Sequence, residues 1–193
     1  MLKNIAQSKH WSIYFTEDSD EFNEKMLSKV SSVIWLSTTG NLLNDEQKNA
    51  FKNYVEQGGG FVGIHGAVDT EHHWPWYGNV VGAYFKSHPK VQTAQLVVED
   101  KQHPQHLPDI WDHTDEWYNF DKNPRTNVKV LLSIDETTYH AGVDAMGDHP
   151  IAWQQNIGKD RAFYTALGHT HAAYKNSKFI KHIEGAVTWA GRL

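Results

Sequence analysis

The segment Gly58-Gly59-Gly60-Phe61-Val62-Gly63-Ile64-His65-Gly66-Ala67-Val68-Asp69-Thr70 joins a glycine-marked helix exit to a short apolar strand and a sharp turn carrying a histidine. Glycines supply the left-handed backbone angles that end helices and let a chain turn tightly. A buried strand that closes on Gly63-Ile64-His65-Gly66 puts His65 at the carboxyl edge of a sheet, where open α/β folds bind ligands. Strand, sharp turn and polar residue also follow the plan of a nucleophile elbow, here with an imidazole as the raised side chain.

Upstream, Asn44 followed by Asp45, Glu46 and Gln47 predicts a helix start, with Gln47 three residues past the cap. Ala50, Phe51, Tyr54 and Val55 give that helix an apolar face, and Gln57-Gly58-Gly59 ends it. Ser32 to Ser37 is a near-continuous apolar run, as in a strand covered on both faces. Further back, Trp11 to Phe15 reads as a short strand, Thr16 to Asp20 as a polar turn, and Phe22, Met26 and Leu27 as one helix face. This β–α–β alternation predicts a parallel sheet with right-handed crossovers.

Downstream, Trp74-Pro75-Trp76-Tyr77 opens a short helix with Pro75 in its first turn. Thr93 to Val98 and Val128 to Ile134 are strands, with His103-Pro104 and Leu107-Pro108 punctuating a loop between them. Asp112 to Tyr118 mixes acids and aromatics without a helical period. Ile151 to Gln154 and Arg161 to Leu167 form a strand pair joined through Asn156 to Asp160. A last helix starts near Ser177, with Phe179, Ile180, Ile183, Val187 and Ala190 on one face. With no repeat, low-complexity tract or linker, residues 1–193 read as a single α/β domain.

Composition narrows the chemistry. Without cysteine, the chain has no disulfides, thiolate metal sites or thiol nucleophile. A formal net charge of -5 argues against a broad nucleic-acid footprint. Its apolar runs are too short to span a bilayer and no leader pattern opens it, so neither a membrane nor a nucleic-acid partner is expected and a cytoplasmic location is. The 13 histidines and 8 tryptophans offer groups that titrate near neutrality or bind metals, and flat faces on which sugars stack.

Taken in order, Leu36 to Gly40, Gly58 to Thr70, Trp74 to Tyr77, Phe85 to Pro89, Asp115 to Tyr118, Asp148 to Trp153, and Arg161 to Tyr164 running into Leu167-Gly168-His169 resemble the trehalose-utilisation, or ThuA-like, proteins. The resemblance covers nearly the whole chain. It implies a fold like that of class I glutamine amidotransferases, a three-layer, flavodoxin-like, parallel-rich sheet with helices on both faces. Amidotransferases of that class carry a cysteine at the elbow and a histidine after a late strand; here those positions are His65 and His169, so thiol-based amide hydrolysis is excluded. The resemblance also implies a strand and helix ahead of the segment matching Lys9 to Glu17, and nothing in Met1 to His10 supplies that strand. A shortened chain, a rearranged sheet edge, or a strand borrowed from another subunit in a homo-oligomer would each account for this.

The candidate catalytic residues are His65, His169, Asp69 and Glu116. His65 and His169 should emerge at the sheet edge and converge if their strands are neighbours. Asp69 could orient an imidazole, act as a base or cap the following turn. Burial of Glu116 against Trp117 would raise its pKa toward the range useful for proton transfer. Trp74, Trp76, Tyr77, Trp117 and Tyr118 could stack on a sugar or pack in the core, while His88 and His149, each before a proline, could line the site or bond locally. No organic cofactor is expected. His72-His73 and His169-x-His171 lack the i, i+4 spacing of a helical metal pair, yet His65, His169 and carboxylates together could hold a divalent ion.

The family resemblance implies an enzyme of carbohydrate catabolism acting on trehalose-related disaccharides or their 3-keto derivatives, as a keto-sugar isomerase, lyase or hydrolase. A ketone acidifies the neighbouring C2 proton, which His65 or Asp69 could remove while His169 protonates the enolate or leaving oxygen. The alternative is a non-catalytic sugar-binding or interaction module on a degenerate amidotransferase-like fold. A metal-dependent hydrolase is the third reading.

Overall fold

A computed structural model describes residues 1–100 and 107–193, so the expected break at His103-Pro104 lies outside the described residues. Seven strands build the main sheet: β1 (Ser32–Leu36), β2 (Gly60–Ile64), β3 (Gln92–Val98), β4 (Ile110–Asp115), β5 (Lys129–Asp135), β6 (Pro150–Ile157) and β7 (Asp160–Thr165). Their spatial order is β1-β2-β7-β6-β5-β3-β4. β2 runs parallel to both neighbours, pairing Val62 with Ile34 of β1 and with Phe163 of β7. The other pairings within this sheet are antiparallel. The α/β class stands. The parallel-rich sheet is corrected to a mixed one, because β3 to β7 are joined largely by hairpins rather than helical crossovers.

Among the described residues, five α-helices accompany the sheet: α1 (Leu2–Ser8), α2 (Glu24–Leu27), α3 (Asp45–Glu56), α4 (Pro75–Val81) and α5 (Ser177–Gly191). The expected start of α3 is present in full: Asn44 caps the Gln47 N–H and the Gln47 side chain returns to the Asn44 N–H. Side chains alternate across the strands, so β2 divides its apolar residues between two layers. Phe61 meets Phe51 of α3 and Tyr77 of α4 on one face. On the other, Phe163, paired with Val62, packs on His182 of α5. The strand is buried at all five positions. Among the described residues, no helix is long and apolar enough to cross a membrane.

The expected strand at Trp11–Phe15 is also corrected, for residues 11–18 adopt neither strand nor helix. No strand pairs with the outer edge of β1 among the described residues, so this segment has no ladder to join. Ile13, Tyr14 and Phe15 stay exposed, with the Tyr14 hydroxyl donating to Glu21 and Lys3 over the Phe15 ring.

Asp160, at the start of β7, is buried and neither carboxyl oxygen completes a hydrogen bond. Burial, only partly opposed by the Arg161 N–H and the Arg192 guanidinium, pushes its pKa up to about 7. Because the folded-state value lies above the ordinary 3.8, folding binds a proton and stability falls as pH rises between those values. Asp160→Asn is therefore expected to melt higher than the parent chain at pH 8 and close to it at pH 4, as read by thermal denaturation monitored by circular dichroism.

Candidate functional site

Elbow geometry is present at His65. β2 ends at Ile64, and His65 begins a tight 3-10 turn through Val68 with φ of 50°, a left-handed value uncommon for a residue with a Cβ. Gly66 makes the turn fit: a Cβ there would lie 2.9 Å from the Thr38 carbonyl oxygen on the loop after β1. The Tyr164 hydroxyl donates to the His65 carbonyl at 2.9 Å, holding the strained residue from the neighbouring strand.

The imidazole is fixed as firmly as the backbone. His65 Nδ1 lies 2.8 Å from the Ala166 carbonyl oxygen, which can only accept, so Nδ1 carries the hydrogen and Nε2 presents a lone pair. Burial pulls the His65 pKa below the usual histidine value, with the Ala166 carbonyl, Asp115 and Glu116 opposing, so the neutral ring predominates near pH 7. The Tyr118 ring lies against it, with centroids 4.2 Å apart.

Two further groups meet that lone pair. His65 Nε2 is 3.1 Å from His169 Nδ1 and 3.4 Å from Glu116 Oε2, and the latter two are 3.2 Å apart. Glu116 Oε1 is in turn 3.1 Å from His88 Nδ1. His65 and Glu116 are buried, whereas the His169 side chain is 44% exposed and forms the open side of the site. His65, Glu116 and His169 are a set of donors with mutual distances suited to one metal ion.

Asp115 is the residue that assembles this group, and sequence reading passed over it. β4 buries every second residue, Trp111, His113 and Asp115, and Asp115 ends fully buried beneath the loop that carries His169. Its carboxylate accepts the N–H groups of Gly168 (2.7 Å), His169 (3.1 Å), Thr170 (3.1 Å) and Glu116 (3.1 Å). Burial alone would raise its pKa, but the His113 side chain and these N–H donors bring it below the ordinary aspartate value. The available signal was alternation: Trp111, His113 and Asp115 are two residues apart, but two of the three inward residues are polar.

The remaining candidates lie elsewhere. Asp69 is half-buried and pairs with His72 Nε2 at 3.0 Å. Trp74 and Trp76 pack on Phe51 and on each other, while Tyr77 is fully buried with its hydroxyl on the Ala67 carbonyl. Trp117 is also fully buried, its indole donating to the Gln92 carbonyl. Tyr77 and Trp117 thus take the core-packing alternative and have no free face on which a sugar could stack. His149 is enclosed between Glu136 (2.8 Å from Nδ1) and the Tyr118 carbonyl (2.9 Å from Nε2). Neither of its nitrogens is open to a ligand; it braces the segment that presents Glu116 and Tyr118.

The profile of the ThuA family, described as trehalose utilisation, matches residues 1–190. A ThuA-like protein from Bacteroides uniformis superposes with a TM-score of 0.84 at 27% identity, over 98% of this chain and 80% of that one. A second, from Parabacteroides merdae, gives 0.79 at 23% identity over 98% and 82%. A cytoplasmic protein from Salmonella typhimurium shares the fold at a TM-score of 0.68 and 12% identity, over 98% and 85%. No curated protein sequence matches the chain.

Proposed function

We propose, from the premise that the chain belongs to the ThuA trehalose-utilisation family, that it is an enzyme of carbohydrate utilisation that moves protons on a sugar or 3-keto sugar at His65, His169 and Glu116. The observation that carries this is the convergence of two imidazoles and a carboxylate within 3.1–3.4 Å at the carboxyl end of a parallel strand. The family supplies the substrate class; the site's geometry supports the chemistry. The parallel half of the sheet, with helices on both faces, supports a flavodoxin-like, amidotransferase-derived ancestry for the elbow.

His65 Nε2 has the features of a base: a lone pair, a fixed tautomer, and a ring held neutral by burial. In a 3-keto sugar it would take the C2 proton, the electron pair passing to the C3 oxygen as an enolate. His169, on the open side, would return a proton to the enolate or to a leaving oxygen, and Glu116 would balance the charge that His65 gains. Tyr118 supplies an aromatic surface beside the base.

His65→Ala and His169→Ala, each folded as judged by circular dichroism, are expected to lower turnover of a 3-keto glucoside by roughly 100-fold or more. Parental rates in both variants would overturn the reading.

A further inference from the structure

The same three residues satisfy a second requirement that proton transfer alone does not impose. His65 Nε2 is committed as a lone pair because Nδ1 holds the ring hydrogen against the Ala166 carbonyl. Glu116 Oε2, as a carboxylate oxygen, is also an acceptor. At most one hydrogen, on His169 Nδ1, is available to both acceptors, although all three atoms lie 3.1–3.4 Å apart. Two enclosed lone-pair groups this close, sharing one proton, form a site that a cation completes.

The spacing and the chemistry of the three ligands together narrow the cation. Ligands about 2.0–2.1 Å from a tetrahedral ion are separated by about 3.3 Å, whereas an octahedral ion at that distance needs about 2.9 Å. The observed 3.1, 3.2 and 3.4 Å match the tetrahedral spacing, and an ion just off the plane of the three atoms would touch all of them without displacing any. Two imidazoles with one carboxylate are a ligand set for zinc-class metals rather than magnesium or calcium, and three protein ligands leave the fourth position free.

The supporting contacts are also those of a metal centre. His65 donates its other ring hydrogen to a carbonyl, Glu116 Oε1 meets His88, and Asp115 fixes the backbone of His169. The half-exposed edge at His169 provides the entry path.

We infer that His65, Glu116 and His169 form a binding site for one zinc-class divalent cation, with the fourth position directed to substrate. This keeps the sugar reading and changes which group handles the proton. With an ion bound, the His65 lone pair would be occupied and the fourth position would carry a hydroxide facing the substrate; that hydroxide would take the C2 proton, becoming water, as the electron pair passes to the C3 oxygen.

The test is titration of chelator-dialysed full-length protein with zinc against a chromophoric chelator, and with cobalt(II) followed by visible absorption. One equivalent per chain and the intense absorption of four-coordinate cobalt are expected. Glu116→Gln and His169→Ala should each weaken zinc binding at least about 100-fold, while His10→Ala, on an exposed residue in the turn after α1, should leave it unchanged. Zinc binding no tighter in the parent chain than in Glu116→Gln, or no four-coordinate cobalt spectrum, would overturn the inference. So would full turnover of a 3-keto glucoside by metal-free protein; if His65→Ala abolishes that turnover, the proton-transfer reading survives alone. One tight equivalent without turnover of any keto sugar would instead uphold the metal site and overturn the sugar reading.

Discussion

Replacing Asp115 with alanine is expected to destabilise the protein by about 3 kcal/mol or more and to abolish turnover together. Three consecutive N–H groups, of Gly168, His169 and Thr170, point at this one buried carboxylate. A buried donor left without a partner costs about 1–3 kcal/mol, and alanine strands several at once. The loop would open to find water, carrying His169 away from His65. Chemical denaturation reads the first effect and turnover the second. Parent-like stability in Asp115→Ala would show that the loop is held by its own packing.

The sign of the pH dependence follows from the same contacts. The folded-state pKa of Asp115 lies below its ordinary value of 3.8, so its contribution is fully present above that pH. It is lost as pH falls through the lower folded value. In Asp115→Asn, where the carboxylate is absent at every pH, that part of the acid destabilisation should vanish from the denaturation profile.

Gly60→Ala is expected to be the most disruptive single-methyl change on the parallel strand, costing about 3 kcal/mol. A Cβ on Gly60 would lie 2.4 Å from the carbonyl oxygen of Ala190 and 2.6 Å from its carbonyl carbon. Both are backbone atoms of α5, so no rotamer change relieves the clash, and the helix must lift from β2. Gly142→Ala provides the comparison. That glycine has φ of 84° but nothing within 4 Å of a Cβ, so it should lose only about 1 kcal/mol of conformational strain. Equal melting temperatures for the two variants would show that α5 does not bear on β2 as closely as the distances indicate.

Local physics made much of this molecule legible from residues alone. The Asn44 capping box, the glycine exit before β2, the hairpin of β6 and β7 and the amphipathic α5 depend on contacts within a few residues, and such contacts are written in the order of the chain. His65 belongs with them, since a strand ending in Gly63-Ile64-His65-Gly66 already dictates a raised side chain. Long-range partnership was not legible in the same way. Trp11–Phe15 has strand-forming residues, but a strand exists only beside another strand. Asp115 carries no comparable local mark, because hydrophobic periodicity cannot register an inward position occupied by a carboxylate. Its meaning comes from N–H groups more than fifty residues further along. Sequence by itself therefore determined the α/β class, the family resemblance and the histidine at the elbow. Tertiary structure alone decided which acids and imidazoles share one site, because the 3 Å distances that give those groups their chemistry are set by the pairing of β2 with β7 and by a loop pinned to β4, across separations no local pattern encodes.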